Sequence, residues 1–301
     1  MKPRERAIQA LEKNDLEPSS VQRISDDAGR MKQIFKAETG RRGEVGVYIY
    51  GQEQGGERGR TIQQRMEAEM YSFRRIRNQT SLRSPKPLYD NGEDLAVCTW
   101  LKGQNAGHQI EKGRDAESLA RLLGSGLAEI HSIRYEGFGE FGTDGIEQMC
   151  STWPEYLERI LDFLKRFDPP EPARDGISYL ESNLNQVPEG FQPVHLHGDF
   201  HAWNRLVDSS GGLGVVDCEA GFAGCREFEV TRAINHWAQE YSVVQPFLEA
   251  YGKENLAEDW RSRTDFYDVL HATMGIIDGI RMSSESLVEM NREILADLVE
   301  R

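Results

Sequence analysis

Asp199 and Asn204 lie five residues apart in the stretch VHLHGDFHAWN, Val194 to Asn204, and the apolar run Leu213 to Val216 then closes on Asp217. These residue types at this spacing suit phosphoryl transfer. Moving the terminal phosphoryl group of a nucleotide asks little covalent chemistry of a protein. It needs a carboxylate to receive or orient the acceptor hydroxyl's proton, and oxygen ligands that hold Mg²⁺ against the phosphates. A loop can set Asp199 at the acceptor and turn the Asn204 amide oxygen toward a metal. Asp217, at the end of a strand-like segment, supplies a second, anionic ligand. Hard oxygen ligands, with no thiolate or imidazole among them, suit Mg²⁺.

The pattern HGDxHxxN from His197 to Asn204, followed by a strand ending in DxE from Asp217 to Glu219, resembles the aminoglycoside phosphotransferase and choline kinase superfamily. Its members are small-molecule kinases with a protein-kinase-like fold. The resemblance continues through GFAGCREFEVTRAI, where Gly224 and Glu229 fall near that family's G-D-P-x-x-D-L-A segment, with Glu229 in place of the usual aspartate. Backward, Met66 to Ile76 resembles helix C with Glu69 as its ion-pairing glutamate, and LAVCTWLKG, Leu95 to Gly103, resembles the strand and hinge. The likeness spans roughly residues 20–240 and is sharpest over 194–231.

The resemblance implies an α+β, bilobal architecture, with a β-rich nucleotide-binding lobe over residues 1–101 and a mainly helical catalytic and substrate-binding lobe over 102–301. It implies Asp199 as catalytic base, Asn204 and Asp217 as Mg²⁺ ligands, and Thr99 and Leu101 beside the nucleotide, with ATP or GTP as co-substrate. The acceptor is then a small hydroxylated molecule. Glu229 anchors the larger lobe, and Glu219 points to the side of Asp217 if the strand continues.

The small lobe departs from the pattern. Such kinases place a lysine on the third strand, where it contacts the α- and β-phosphates and pairs with the helix glutamate. Here the third strand is Val47-Tyr48-Ile49-Tyr50, and Tyr50 stands where the lysine is expected. No lysine lies between Lys36 and Lys86. Lys36 on the preceding strand is the expected substitute, with Arg58 or Arg60 as alternatives from the loop. The phosphate-covering turn, Asp26-Asp27-Ala28-Gly29, offers one glycine and two carboxylates, a poor cradle for triphosphate. Two functions follow: an active kinase with a rearranged phosphate grip, or a catalytically weak kinase-like binding or regulatory module. A protein kinase fits less well, because no APE-like segment follows Asp217 and the Glu229 helix comes too soon for a long activation loop.

The elements that must position these residues are legible as periodicities. A short helix is expected over Arg4 to Lys13. Strands follow over Ser20 to Ser25, Met31 to Thr39 and Val45 to Gly51, then a helix over Glu57 to Arg77 and a strand over Leu95 to Leu101 leading to a hinge at Lys102 to Asn105. Beyond it, helices are expected over Asp115 to Ser132, Trp153 to Phe167, Asp175 to Asn185, Glu227 to Tyr251, Asp259 to Arg281 and Ser284 to Val299.

Composition narrows the partners. A chain of 301 residues with 38% hydrophobic content can bury a real core, and a formal charge of −14 argues against nucleic acid. The acidity has two readings, attraction of a cationic acceptor or a general bias such as high-salt adaptation. Neither a signal peptide nor a membrane span is expected, which points to the cytoplasm. The four cysteines form no CxxC pair and read as reduced thiols. Trp153, Tyr156, Trp203 and Trp237 could box an amine, and Trp203 stands out by its place in the catalytic loop.

Overall fold

A computed structural model describes residues 1–24, 32–51 and 60–299. Pro3 opens α1 (Pro3–Lys13), where its fixed φ suits the first turn. β1 (Pro18–Arg23), β2 (Lys32–Thr39) and β3 (Gly43–Tyr50) form an antiparallel meander. Gly43 takes φ +67° where the chain turns from β2 into β3. The resulting register sets Lys32 opposite Tyr50 and Lys36 opposite Gly46. After α2 (Ile62–Gln79), β4 (Pro87–Asp90) and β5 (Leu95–Thr99) complete a five-stranded sheet in the order β1-β2-β3-β5-β4.

Side chains alternate across this sheet as the pleat requires. Phe35, Ala37, Val45, Val47, Ile49 and Val97 bury one face against Ala7, Ala10 and Leu11 of α1. Tyr48, Tyr50, Ala96 and Cys98 face Met66, Met70 and Phe73 of α2. The expected helix start at Glu57 lies outside the described residues, within which α2 begins at Ile62. Thr61 accepts from the Gln64 amide, and the Gln64 side chain accepts from the Thr61 amide, a capping box that fixes the first turn.

The remaining chain is mostly helical. Short strands carry the candidate site segments between helices. β6 (Gln104–Asn105) leads into α3 (Ala106–Glu111) and α4 (Ala116–Ile130), followed by the hairpin β7 (Phe138–Phe141) and β8 (Ile146–Cys150). α5 (Trp153–Lys165) and α6 (Glu171–Asn183) precede β9 (Val194–Leu196), β10 (Arg205–Val207), β11 (Leu213–Val215) and β12 (Phe222–Gly224). These short strands make two sheets, β11-β10-β6 and β8-β7-β12-β9.

The single helix expected over Glu227 to Tyr251 is corrected to two. α7 (Arg226–Ala233) runs into a π-helical turn at Ile234–Ala238, the chain turns at Ser242 with φ +56°, and α8 (Val244–Tyr251) follows. α9 (Thr264–Arg281) and α10 (Glu285–Val299) complete the described chain. No described helix is long and apolar enough to cross a membrane, and all four cysteines are buried thiols.

α4 and α8 approach closely at Gly124. A Cβ there would meet the Phe247 carbonyl oxygen at 2.2 Å and the Tyr251 nitrogen at 3.1 Å. Both obstacles are backbone, so the helices must separate to admit a methyl group. Gly124→Ala should therefore destabilise the protein by about 1–3 kcal/mol despite alanine's better helix propensity, measured as a lowered midpoint in urea unfolding.

Candidate active site

β9 delivers the chain to His197, and Gly198 then takes φ +81° with its Cα against the Ala220 carbonyl, where a Cβ would sit 2.0 Å away. Only glycine fits this turn. The carboxylate of Glu229, on α7, receives the amides of His197 at 2.9 Å and Gly198 at 2.6 Å, and faces His131 Nε2 at 3.0 Å. Glu229 thus pins the start of the catalytic loop to α7 and to the end of α4. A 3₁₀ turn at Ala202–Asn204 returns the loop to β10. The Val216 amide meets the Asn204 carbonyl at 3.5 Å, so Asn204 and Asp217 flank one end of the β10–β11 pair. Asp217 itself takes φ +64°, a left-handed conformation that aspartate tolerates better than most residues.

Asp199 is held by three side chains. Its Oδ2 accepts from Asn204 Nδ2 at 2.9 Å and lies 3.2 Å from His201 Nε2, while Oδ1 accepts from Arg232 Nη2 at 3.1 Å. The Trp203 amide donates to His201 Nδ1, which leaves Nε2 as the nitrogen that carries hydrogen toward Asp199. Arg232 also donates to the Gly198 carbonyl at 2.8 Å. Burial opposes ionisation of Asp199, but the His201 bond and the Arg232 charge override it and hold the carboxyl far below the usual range. His197 is kept neutral by burial and then by the Arg205 guanidinium, with its ring bonded to the Val216 carbonyl and the Asp199 amide.

On the opposite wall, Glu69 of α2 has no exposed surface. Lys32 Nζ donates to both its oxygens, at 2.9 and 2.8 Å, and to Asp217 Oδ1 at 2.6 Å. The Tyr50 hydroxyl and the Cys218 amide also donate to Glu69. Glu69 therefore has the ion pair expected of it, but with a lysine that the sequence reading passed over.

Lys36, the expected substitute, is corrected by its surroundings. It pairs with Glu44 and lies over the Trp100 ring at 5.4 Å, four residues along β2 from the lysine that meets Glu69. Arg60 is engaged with Glu140 and with the carbonyls of Glu219 and Gly221. Arg58 and the turn Asp26 to Gly29 lie outside the described residues. Thr99 Oγ1 accepts from the Lys86 amide on the neighbouring edge, and Leu101 packs on Gly214 of β11.

The donor set at the metal position suits Mg²⁺. The Asp217 side chain is 40% exposed, and its carboxylate is satisfied by the Lys32 ammonium. Asn204 turns its Nδ2 toward Asp199, which assigns its amide oxygen to any cation. Glu219 lies 3.9 Å from both Lys32 and Arg65, and burial pushes its carboxyl up to about 7 against the pull of Lys32.

Of the four aromatic residues considered for an amine box, Trp153, Tyr156 and Trp237 are buried in the core. Trp203 is 43% exposed. Its ring lies on Gly107 of α3, where a Cβ would meet it at 2.8 Å, and the Asn105 side chain donates to its carbonyl.

His195 sits behind the loop on β9, bonded to the Tyr135 hydroxyl at 2.9 Å and packed on Phe141. Burial, reinforced by His131 and Arg75, lowers its pKa to about 3. The unfolded chain binds this proton near pH 6.5 and the folded chain refuses it, so the group's stabilising effect is complete above 6.5 and falls as the pH drops toward 3. Between pH 6.5 and 4.5 this amounts to about 2–3 kcal/mol. His195→Gln should therefore show a smaller difference in unfolding free energy between pH 7.5 and 4.5 than the wild type does, measured by urea titration at both pH values.

Three comparisons bear on this geometry. The model of a phosphotransferase enzyme family, abbreviated APH, matches residues 58–266. Among solved structures, a thermostable mutant of aminoglycoside phosphotransferase APH(4)-Ia, in ternary complex with AMP-PNP and hygromycin B, superposes with TM-score 0.71 at 15% identity, covering 99% of this chain and 97% of that one. The gentamicin complex of APH(2")-IIa gives 0.69 at 14% identity, with 98% and 97% covered. A choline/ethanolamine kinase family protein from Mesorhizobium loti gives 0.64 at 16% identity, with 94% and 89% covered. Among curated proteins none matches. The neighbours share the bilobal kinase-like fold.

Proposed function

The chain belongs to this phosphotransferase family, and on that footing we propose that it moves the γ-phosphoryl group of ATP or GTP to a hydroxyl of a small molecule, with Mg²⁺. The observation that carries this reading is the chain of contacts from Glu69 through Lys32 to Asp217, facing Asp199 and Asn204 across the loop. A binding module has no use for a buried ammonium poised between the helix glutamate and the strand-end aspartate. The neighbour that holds AMP-PNP and hygromycin B supports a nucleotide and a hydroxylated acceptor as the two substrates.

In this mechanism Lys32 takes the nucleotide's phosphates while Glu69 keeps it oriented. Asn204 and Asp217 would hold Mg²⁺, which supplies charge neutralisation on the phosphates. Asp199 accepts a hydrogen bond from the acceptor hydroxyl and aims its oxygen at the phosphorus. Its depressed basicity suits a loose transition state, in which the proton leaves late and alignment matters more than base strength. Arg232 and His201 fix the carboxylate in one rotamer. Only Cys218 to Cys225 separate Asp217 from α7, too short a run for the long activation loop of a protein kinase.

Calorimetric titration of ATP and GTP, with and without Mg²⁺, tests the nucleotide half. Binding should require Mg²⁺ and be lost in Asp217→Ala; absence of binding by folded wild type would refute the reading. With a responsive acceptor found by screening amino sugars, amino alcohols and neutral sugars, Asp199→Ala should bind nucleotide normally and lose about 10²–10⁴ in kcat. Trp203→Ala should raise the acceptor KM more than the nucleotide KM; equal effects would remove Trp203 from the acceptor site.

A further inference from the structure

Lys32 and Tyr50 are direct partners across the β2–β3 ladder. Directly opposed residues in an antiparallel pair project to the same face, and both of these side chains end on Glu69. The lysine that related kinases carry on the third strand is thus supplied here from the second, at the rung facing the vacated position.

The hydrogen-bond inventory shows why the vacated position holds a tyrosine. Lys32 has three N–H groups; the contacts to Glu69 and Asp217 occupy them. Gripping a phosphate requires the ammonium to exchange its Asp217 contact for a phosphate oxygen and to lean outward. Glu69, buried and charged, then depends on its other donors, the Tyr50 hydroxyl and the Cys218 amide. The Tyr50 ring also lies 5.5 Å from the ammonium and the Tyr48 ring 5.7 Å, so two aromatic faces flank its path.

We propose that Tyr50 is a positioning residue for nucleotide binding: it stands at the usual lysine station and holds Glu69 in place, so that Lys32 reaches the phosphates from β2 and the two residues are exchangeable across their rung. This rests on the phosphotransferase reading of the site. Tyr50 acts through Glu69 and touches no substrate.

The test is calorimetric titration of Mg·AMP-PNP into the full chain and four variants, with melting curves to establish folding. Lys32→Met and Lys32→Tyr should each weaken binding by at least about tenfold, the loss of one strong charged contact. Tyr50→Phe, which keeps the ring's packing, should weaken it by about three- to tenfold. The exchange variant Lys32→Tyr/Tyr50→Lys should bind more tightly than Lys32→Tyr alone, a recovery that a merely structural tyrosine would not produce. Wild-type affinity in Tyr50→Phe overturns the proposal, as does a folded exchange variant no better than Lys32→Tyr. Should the exchange variant not fold, Tyr50→Phe decides alone. Failure of the wild type itself to bind Mg·AMP-PNP sinks the phosphotransferase reading instead, so the two failures are distinguishable.

Discussion

The carboxylate of Glu69 is the constraint on which one side of the site depends. Removing an ion from water costs several kcal/mol even after relaxation, and that cost is offset only where good geometry supplies a counter-charge and donors for the remaining lone pairs. Glu69, on α2, finds them on three other segments: Lys32 on β2, Tyr50 on β3 and the Cys218 amide beside Asp217. A shift of any one would leave a buried charge short of a partner. The sheet, the helix and the loop that carries Asp217 are therefore held in one relative position by one group.

Glu229 does the same for the other wall. It too is buried, and it collects the His197 and Gly198 amides and the His131 ring. The two loops that carry Asp217 and Asp199 are thus each tied by backbone amides to a buried glutamate on a helix, Glu69 on α2 and Glu229 on α7. His197 joins the loops to each other through its bond to the Val216 carbonyl. A division of labour follows from burial. The buried carboxylates position the chain, whereas the side chains of Asp199 and Asp217, 32% and 40% exposed, remain open to solvent.

How much of this was legible in the sequence depends on whether the information was local. Asp199, Asn204 and Asp217 could be read because a loop of fixed length and a strand end define their spacing, and the structure brings all three to one place. Glu69 could be read from the resemblance of Met66 to Ile76 to helix C. Lys32 was not legible from its own segment, because the expected lysine station is on the third strand and Lys36 is the lysine nearest to it in sequence. The turn between β2 and β3 contains the answer, since pairing Thr39 with Gly43 makes Lys32 the partner of Tyr50 by simple counting. The break near Ser242 was marked only by Pro246, which sits in the first turn of α8, while the apolar period ran on through the π turn before it. β6 and β9–β12 are two or three residues long, too short for alternation to show.

The chain's net charge of −14 poses a last physical question, because a nucleoside triphosphate is itself highly anionic. The long-range field opposes its approach, but charges more than about 8 Å apart are largely screened at physiological ionic strength. Within that distance the local arrangement decides. Lys32 stands between Glu69 and Asp217, and Arg65 lies near Glu219. Burial already holds Glu219 closer to neutrality than an ordinary carboxylate. Asp217 lends its charge to whichever cation is present, Lys32 in this structure and Mg²⁺ in the proposed complex. In the proposed complex the acidic surroundings would couple the two ligands, since a divalent cation held by Asp217 would leave the Lys32 ammonium free for the triphosphate. An acidic protein could bind an anion in this way, because metal and nucleotide entering together would each offset the repulsion that the acidic chain presents to the nucleotide alone.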